Sequence, residues 1–235
     1  MINKLNKILI CILNPRFYKT YINGVAPLFE LSPLLNQIRQ IKTIIDIGSN
    51  KGQFSILAKS YFPKSKIYSF EPQKEYLNIQ KKILSKKNIK YFNFGLGSKK
   101  DRKNFYITNR EDSSSFLKPS NTEINKYKIK KIKKIHLNKL DNVLNLNQIK
   151  RPSMIKLDVQ GFELEALKGS IKILKKIDFI ITEISFKKIY TNQVSQKKII
   201  NFLKKNNFKK KKITNVTKSN SKLFQADFLF EKVNN

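Results

Sequence analysis

The sequence predicts an α/β fold, a mostly parallel sheet with helices on both faces. Three observations carry that expectation. Short β-branched runs alternate with amphipathic stretches along most of the chain. The runs are apolar with little alternation, as in strands buried on both sides. Several end in an acid (Asp46, Glu71, Asp158, Glu183), which would gather carboxylates at one edge of the sheet.

The elements follow in order. Residues 1–40 read as a helical lead-in, with "PLFELSPLLNQIRQI" carrying apolar residues at helical spacing around Pro33. An α/β unit of 41–235 follows. "KTIIDIG" is a buried strand, "GQFSILAKSYF" a helix, and "SKIYSFEP" a second strand that stops at Pro72. "KEYLNIQKKILSKK" is a helix and "IKYFNFGLG" a third strand. Residues 99–150 break the rhythm. There "KNFYIT" is a short strand, "NREDSSSFLKPSN" a polar loop and "KIKKIKKIHLNKL" a half-exposed strand. The alternation resumes with the strand "PSMIKLDV", helix or helices broken near Gly169, the strand "IDFIITEIS" and the helix "SQKKIINFLKKNNF". "KKKKITNVT" and "LFQADFLFEKV" close the chain as antiparallel strands.

Composition sets outer bounds. With 235 residues and 40% hydrophobic content, the chain can bury a core as one large domain or a domain with an appendage. Its one cysteine, Cys11, excludes an intrachain disulfide and cysteine-cluster zinc sites and suits a cytoplasmic setting. The net charge of +33 has two readings, a polyanion-binding surface or a compositional bias that inflates lysine, asparagine and isoleucine together. Dispersed lysines and only five arginines favour the second. The apolar run Ile8–Leu13 is short for a signal peptide and far short of a spanning helix. As an amphipathic helix it would suit weak membrane-surface contact.

The stretch "TIIDIGSNKGQF" carries the chemistry. Gly48 directly after the first strand lets backbone approach a ligand, and the next helix offers free N–H groups. Glu71 ends the second strand, about where a ribose-binding acid belongs. The pattern Gly48-x-x-x-Gly52, with Asn50 between, departs from the G-x-G-x-x-G of pyrophosphate sites. An adenosyl ligand without phosphate, such as S-adenosylmethionine, fits better. Asp46 would then orient the methionine ammonium.

With these residues in hand, the sequence resembles the FkbM family of S-adenosylmethionine-dependent methyltransferases. The marks are "IIDIGSNKGQF", "IYSFEPQ", "FNFGLGS", "DSSSFL", "LNKLDNVL", "MIKLDVQGFELEALKG", "ITEISF" and "LFQADFLF". The resemblance implies a Rossmann-like class I methyltransferase fold, with seven strands of which the last is antiparallel. It also implies O-methylation of a sugar, glycan precursor or secondary metabolite. It assigns Asp46, Gly48, Asn50 and Gly52 to the cofactor loop, Glu71 to the ribose, and Phe94, Gly95 and Leu96 to the adenine's surroundings. One departure is Glu30-Leu31, where the family often carries Glu-His.

A sugar hydroxyl is a poor nucleophile and needs a base or a metal. Asp158 is the first candidate base, with Glu163 and Glu183 as supporting candidates for base or substrate-binding roles. Glu163 also suits a first-turn helix acid, and Glu183 an acceptor of backbone amides. Asp158 and Glu183 sharing Mg²⁺ is a further reading. His136, the one histidine, reads as an exposed strand residue. Phe116, Phe162 and Phe186 read as core. "EDSSSF" would touch a sugar, cover the cofactor or remain a polar loop. The 99–150 insertion would shape the pocket of a small-molecule or glycan acceptor. Two rivals remain: an RNA methyltransferase, which the charge suggests, and a non-catalytic module binding nucleic acid or membrane.

Overall fold

The computed structural model describes residues 4–84, 88–123, 126–219 and 221–233. The lead-in forms α1 (Lys4–Leu13), α2 (Pro15–Tyr21), a 3-10 turn (Phe29–Leu31) and α3 (Ser32–Leu35). Asn14 separates the first two helices by accepting the Arg16 amide at 3.0 Å, with Pro15 at a position that needs no N–H. The helical spacing around Pro33 yields only short turns. Pro33 can start a helix but cannot continue one.

The alternating part contains β1 (Thr43–Ile47), α4 (Gln53–Tyr61), β2 (Lys66–Phe70), α5 (Lys74–Ile83) and β3 (Ile89–Phe92). Next come β4 (Gly95–Leu96), β5 (Asp101–Thr108), β6 (Ile129–Asn138) and α6 (Leu140–Val143). The chain closes with β7 (Ser153–Leu157), α7 (Glu163–Lys168), α8 (Ile171–Leu174), β8 (Phe179–Ser185), α9 (Gln196–Lys205), β9 (Phe208–Ser219) and β10 (Lys222–Lys232).

Seven strands form the main sheet in the order β3-β2-β1-β7-β8-β10-β9. The five from β3 to β8 run parallel, and β10 is antiparallel to both its neighbours. Every residue of β1 and β7 is buried. Alternate side chains feed two cores. Ile45, Ile47 and Leu157 face one side of the sheet, and Ile44, Met154 and Leu229 the other. The lead-in packs into the second core through Phe17, Phe29, Leu34 and Leu35.

The sequence predicts one third strand, and the structure has two. Asn93 breaks the run by donating from its side chain to the carbonyls of Glu71 and Pro72, at 3.0 and 3.1 Å. Beyond it, β4 leaves the main sheet and pairs with β6 in a separate three-stranded sheet, β4-β6-β5. In β6 most side chains are exposed or half-exposed, His136 among them. The expected break at Gly169 is present. A Cβ there would lie 2.0 Å from the Gly97 carbonyl oxygen. No helix among the described residues is long and apolar enough to cross a membrane.

Candidate active site

The chain leaves β1 through the glycine loop at the point where the sheet order reverses, between β1 and β7. Crevices at such points are where open α/β sheets bind ligands. Gly48 has φ +76°, and a Cβ on it would lie 1.8 Å from the Asp158 carbonyl oxygen. Glycine is required there on both counts. Asn50 (φ +48°) is also left-handed, and Gly52 (φ +91°) caps α4.

Side chains from two other elements brace this loop. Gln80 of α5, fully buried, donates to Ser49 Oγ at 2.8 Å and to the Asn50 carbonyl at 2.5 Å. It accepts from Ser69 Oγ at 2.7 Å. Glu71, at the end of β2, accepts the Asn50 amide on one oxygen and the Gln73 amide on the other, both at 2.8 Å. Burial pushes the Glu71 carboxyl up to about 7, although the two amides pull it down.

A first cleft opens above these residues. Gly48, Asn50 and Glu71 line it on one side, and Phe94, Gly95 and Leu96 on another. Asp46 and Gly52 stand behind its wall. Asp46 is fully buried and accepts from Ser55 Oγ at 2.7 Å, and its second oxygen, Oδ1, has no partner. Burial raises its carboxyl, opposed by Lys156 and the Ser55 hydrogen bond. The "EDSSSF" segment lies across the cleft. Asn50 Nδ2 donates to the Glu111 carbonyl at 2.9 Å, Lys51 pairs with Glu111 at 2.5 Å, and Ser115 Oγ donates to the Gln160 carbonyl at 2.7 Å.

A second cleft adjoins the first, and the two share Leu28, Asp112, Lys156, Asp158 and Gln160. Its floor carries Glu183 and Asp227, which face each other in register across β8 and β10. Gln225 Nε2 donates to Glu183 at 2.7 Å, and Asn215 Nδ2 to Asp227 at 2.9 Å. Among the described residues, neither acid has a lysine or arginine in salt-bridge contact. Burial, then Asp158 and Asp227, raise Glu183 well above the usual carboxylate range. Burial likewise pushes Asp227 up to about 6.

Asp158 stands at the seam. Its oxygens accept from Lys156 Nζ at 3.0 Å and from Gln160 Nε2 at 2.8 Å. Burial pulls the Lys156 ammonium down, but Asp158 and Asp46 outweigh it, so its pKa is raised and it stays charged. Glu163 lines neither cleft. It is buried, accepts the Gly161 amide at 2.9 Å, and is pushed up to about 7 by burial. The geometry does not suit a magnesium ion. A lysine already occupies Asp158, and no group of three or more His, Cys, Asp or Glu is placed to hold a metal among the described residues.

The structure thus brings Gly48, Asn50, Glu71, Phe94, Gly95, Leu96 and Asp158 to one cleft and Asp158 and Glu183 to the next. Phe116 belongs to a core cluster but also lines the first cleft, while Phe162 packs in that cluster. Sequence reasoning missed Gln80, Lys156, Gln160 and Asp227. Lys156 and Asp227 left a signal, each being a lone charge inside an apolar strand. Gln80 left none.

The sheet order, the reversed strand and the glycine loop define a class I, Rossmann-like methyltransferase fold. The chain belongs to the FkbM methyltransferase family, matching the Methyltransferase FkbM domain over residues 46–210. Among its relatives, the hexuronic acid methyltransferase AglP of Haloferax volcanii is 24% identical over 64% of this chain. The 2-O-methyltransferase NoeI of Sinorhizobium fredii is 22% identical over 68% of this chain. The chain spans 59% of the first relative's length and 70% of the second's. The solved M. capricolum TrmK, in complex with S-adenosyl-homocysteine, is similar in fold at a TM-score of 0.50 and 14% identity. That likeness covers 87% of this chain and 68% of that one.

Proposed function

We propose that this protein transfers a methyl group from S-adenosylmethionine to a hydroxyl of a sugar or glycan acceptor in the cytoplasm. The observation that carries this reading is the seam at Asp158, where a glycine-walled cleft meets a polar one. The names of the two relatives support the acceptor class.

The first cleft suits the cofactor. Each Glu71 oxygen holds one amide and keeps capacity for a ribose hydroxyl. Asp46 Oδ1, buried behind the cleft wall without a partner, is a free acceptor that an ammonium would reach through a water. Phe94, Gly95 and Leu96 offer an apolar wall for the adenine. When bound, S-adenosylmethionine supplies a methyl group on a positively charged sulfur.

The chain's own residues do the rest. Asp158, held by Lys156 and Gln160, takes the proton of the acceptor hydroxyl. Glu183, Asp227, Asn215 and Gln225 bind and orient the acceptor through its other hydroxyls. Glu163 positions the turn from Val159 to Gly161 that carries Gln160. The 99–150 segment shapes the acceptor side through Arg110, Asp112, Ser113 and Tyr127. Four carboxylates, Asp112, Asp158, Glu183 and Asp227, outnumber Arg110 and Lys156 on the walls of the second cleft, a poor channel for RNA phosphates, which favours a sugar over nucleic acid.

Calorimetric titration with S-adenosylmethionine and S-adenosylhomocysteine tests the first step, and methyl transfer to a glycoside panel the second. Micromolar binding and a methylated glycoside are expected. No adenosyl binding by folded protein, with or without glycosides, would overturn the reading. So would methyl transfer to RNA alone.

A further inference from the structure

The N-terminal helices leave an apolar stripe in solvent. On α1, Leu5 is 71% exposed, Leu9 48%, Ile12 50% and Leu13 74%. These positions recur at helical spacing, so they form one face. Cys11 points the other way, into the core beneath. Tyr18 and Ile22 extend the exposed apolar surface along α2. Single exposed aliphatics are ordinary, but a continuous stripe marks an interaction face.

The surroundings of the stripe are basic. Residues 4–29 contain no acid. The first acid, Glu30, is held by Lys7 of α1. A groove beside α2 is lined by Arg16 and Lys59 together with Ile56, Ile83 and Leu84. The next groove, which shares Pro63 and Asn88 with it, carries Arg39, Lys42, Lys64, Lys66 and Lys150. Among the described residues, no carboxylate lines either groove.

Three partners compete for such a face. Nucleic acid would use the lysines but gain nothing from four exposed aliphatic side chains, since single strands are bound by stacking on aromatics. A second copy would bring +33 against +33. An anionic bilayer takes both features, with aliphatic side chains entering the acyl boundary and cations resting at the headgroups.

We propose that α1, α2 and the basic grooves beside them dock this protein on a membrane surface rich in anionic phospholipid. Docking stands independently of the methyl-transfer reading. It bears on that reading at one place: Glu30, paired with Lys7, lies between Leu28 and Leu31, both on the wall of the second cleft.

The test is flotation of the full chain with vesicles. Vesicles of phosphatidylcholine alone are compared with vesicles containing phosphatidylglycerol. Binding to the second kind is expected, weakened by high salt. Leu9→Glu with Leu13→Glu should reduce it about tenfold or more. Both positions face solvent, so circular dichroism should not change. No flotation with either vesicle overturns the proposal, as does flotation that the double variant leaves intact. Self-association in sedimentation that the double variant abolishes would assign the face to a second copy. RNA binding without vesicle binding would assign it to nucleic acid.

Discussion

Glu71 accepts the main-chain amide of Asn50 at 2.8 Å, so the acid that ends β2 holds the left-handed turn that follows β1. The carboxylate therefore has two tasks: it shapes the cofactor loop and it forms part of the cleft wall. Glu71→Ala removes both. We expect S-adenosylhomocysteine affinity to fall by about ten- to a hundredfold, the worth of one or two hydrogen bonds to a charged group. Glu71→Gln keeps one acceptor oxygen and should lose less. Equal losses from both variants, measured by calorimetry, would contradict this account.

Asp158 and Glu183 should separate kinetically. Asp158→Asn keeps the shape of the seam and removes the base. The single-turnover rate is expected to drop about a hundredfold or more, with cofactor affinity changed only a few-fold. Glu183→Gln keeps the hydrogen bond with Gln225 in altered form. It should raise the acceptor KM while leaving the chemical step largely intact. If Glu183→Gln abolishes the single-turnover rate and Asp158→Asn does not, the base is Glu183.

Gln80 braces the loop from α5. Gln80→Leu would take the donor from the Asn50 carbonyl, while Ser49 Oγ and Ser69 Oγ keep their bond to each other. Each buried polar group left unsatisfied costs about 1–3 kcal/mol. Urea unfolding should show a loss in that range, accompanied by weaker S-adenosylhomocysteine binding. Unchanged stability would mean that water fills the gap.

Stability should fall as pH rises through neutrality. Burial pushes Glu71 and Glu163 up to about 7 from ordinary values near 4.5, and Asp227 up to about 6. Across that interval the folded chain holds protons that the unfolded chain has released. The stability from these groups is therefore complete below about 4.5 and lost as pH climbs through 7. Each contributes on the order of 1–3 kcal/mol. Urea midpoints at pH 5 and pH 8 measure the trend, and Glu163→Gln should shrink it. A midpoint that rises with pH across this range would be the opposite sign.

Much of the site was legible because its signals are local. An apolar run that ends in Asp46 and Gly48 announces a strand entering a turn that needs bare backbone, and Gly48 proved to pass hard against Asp158. Glu71 and Asp158 follow directly on β2 and β7 as the alternation implied, whereas Glu183 sits inside β8, which runs on to Ser185. The third strand misled because "IKYFNFGLG" is apolar but for Lys90 and Asn93 and reads as one run. Its division depends on Asn93 reaching the carbonyls of Glu71 and Pro72, a contact with no local trace. Glu163 looked like its neighbours in the motif, yet its side chain folds back on Gly161 and away from both clefts.

The amino-acid sequence by itself determined the succession of strands and helices, the loop of Gly48 and Gly52, and the placing of carboxylates at strand ends. Periodicity, β-branching and glycine all act within a few residues, so they can be read in order along the chain. Only the tertiary structure decided which carboxylates share a site and what sits beside them. Asp227 faces Glu183 because β10 inserts between β8 and β9. Gln80 meets Asn50 because α5 packs back over the loop. Contacts of this kind depend on strand order and register, which pairing across the whole chain sets and no short stretch encodes.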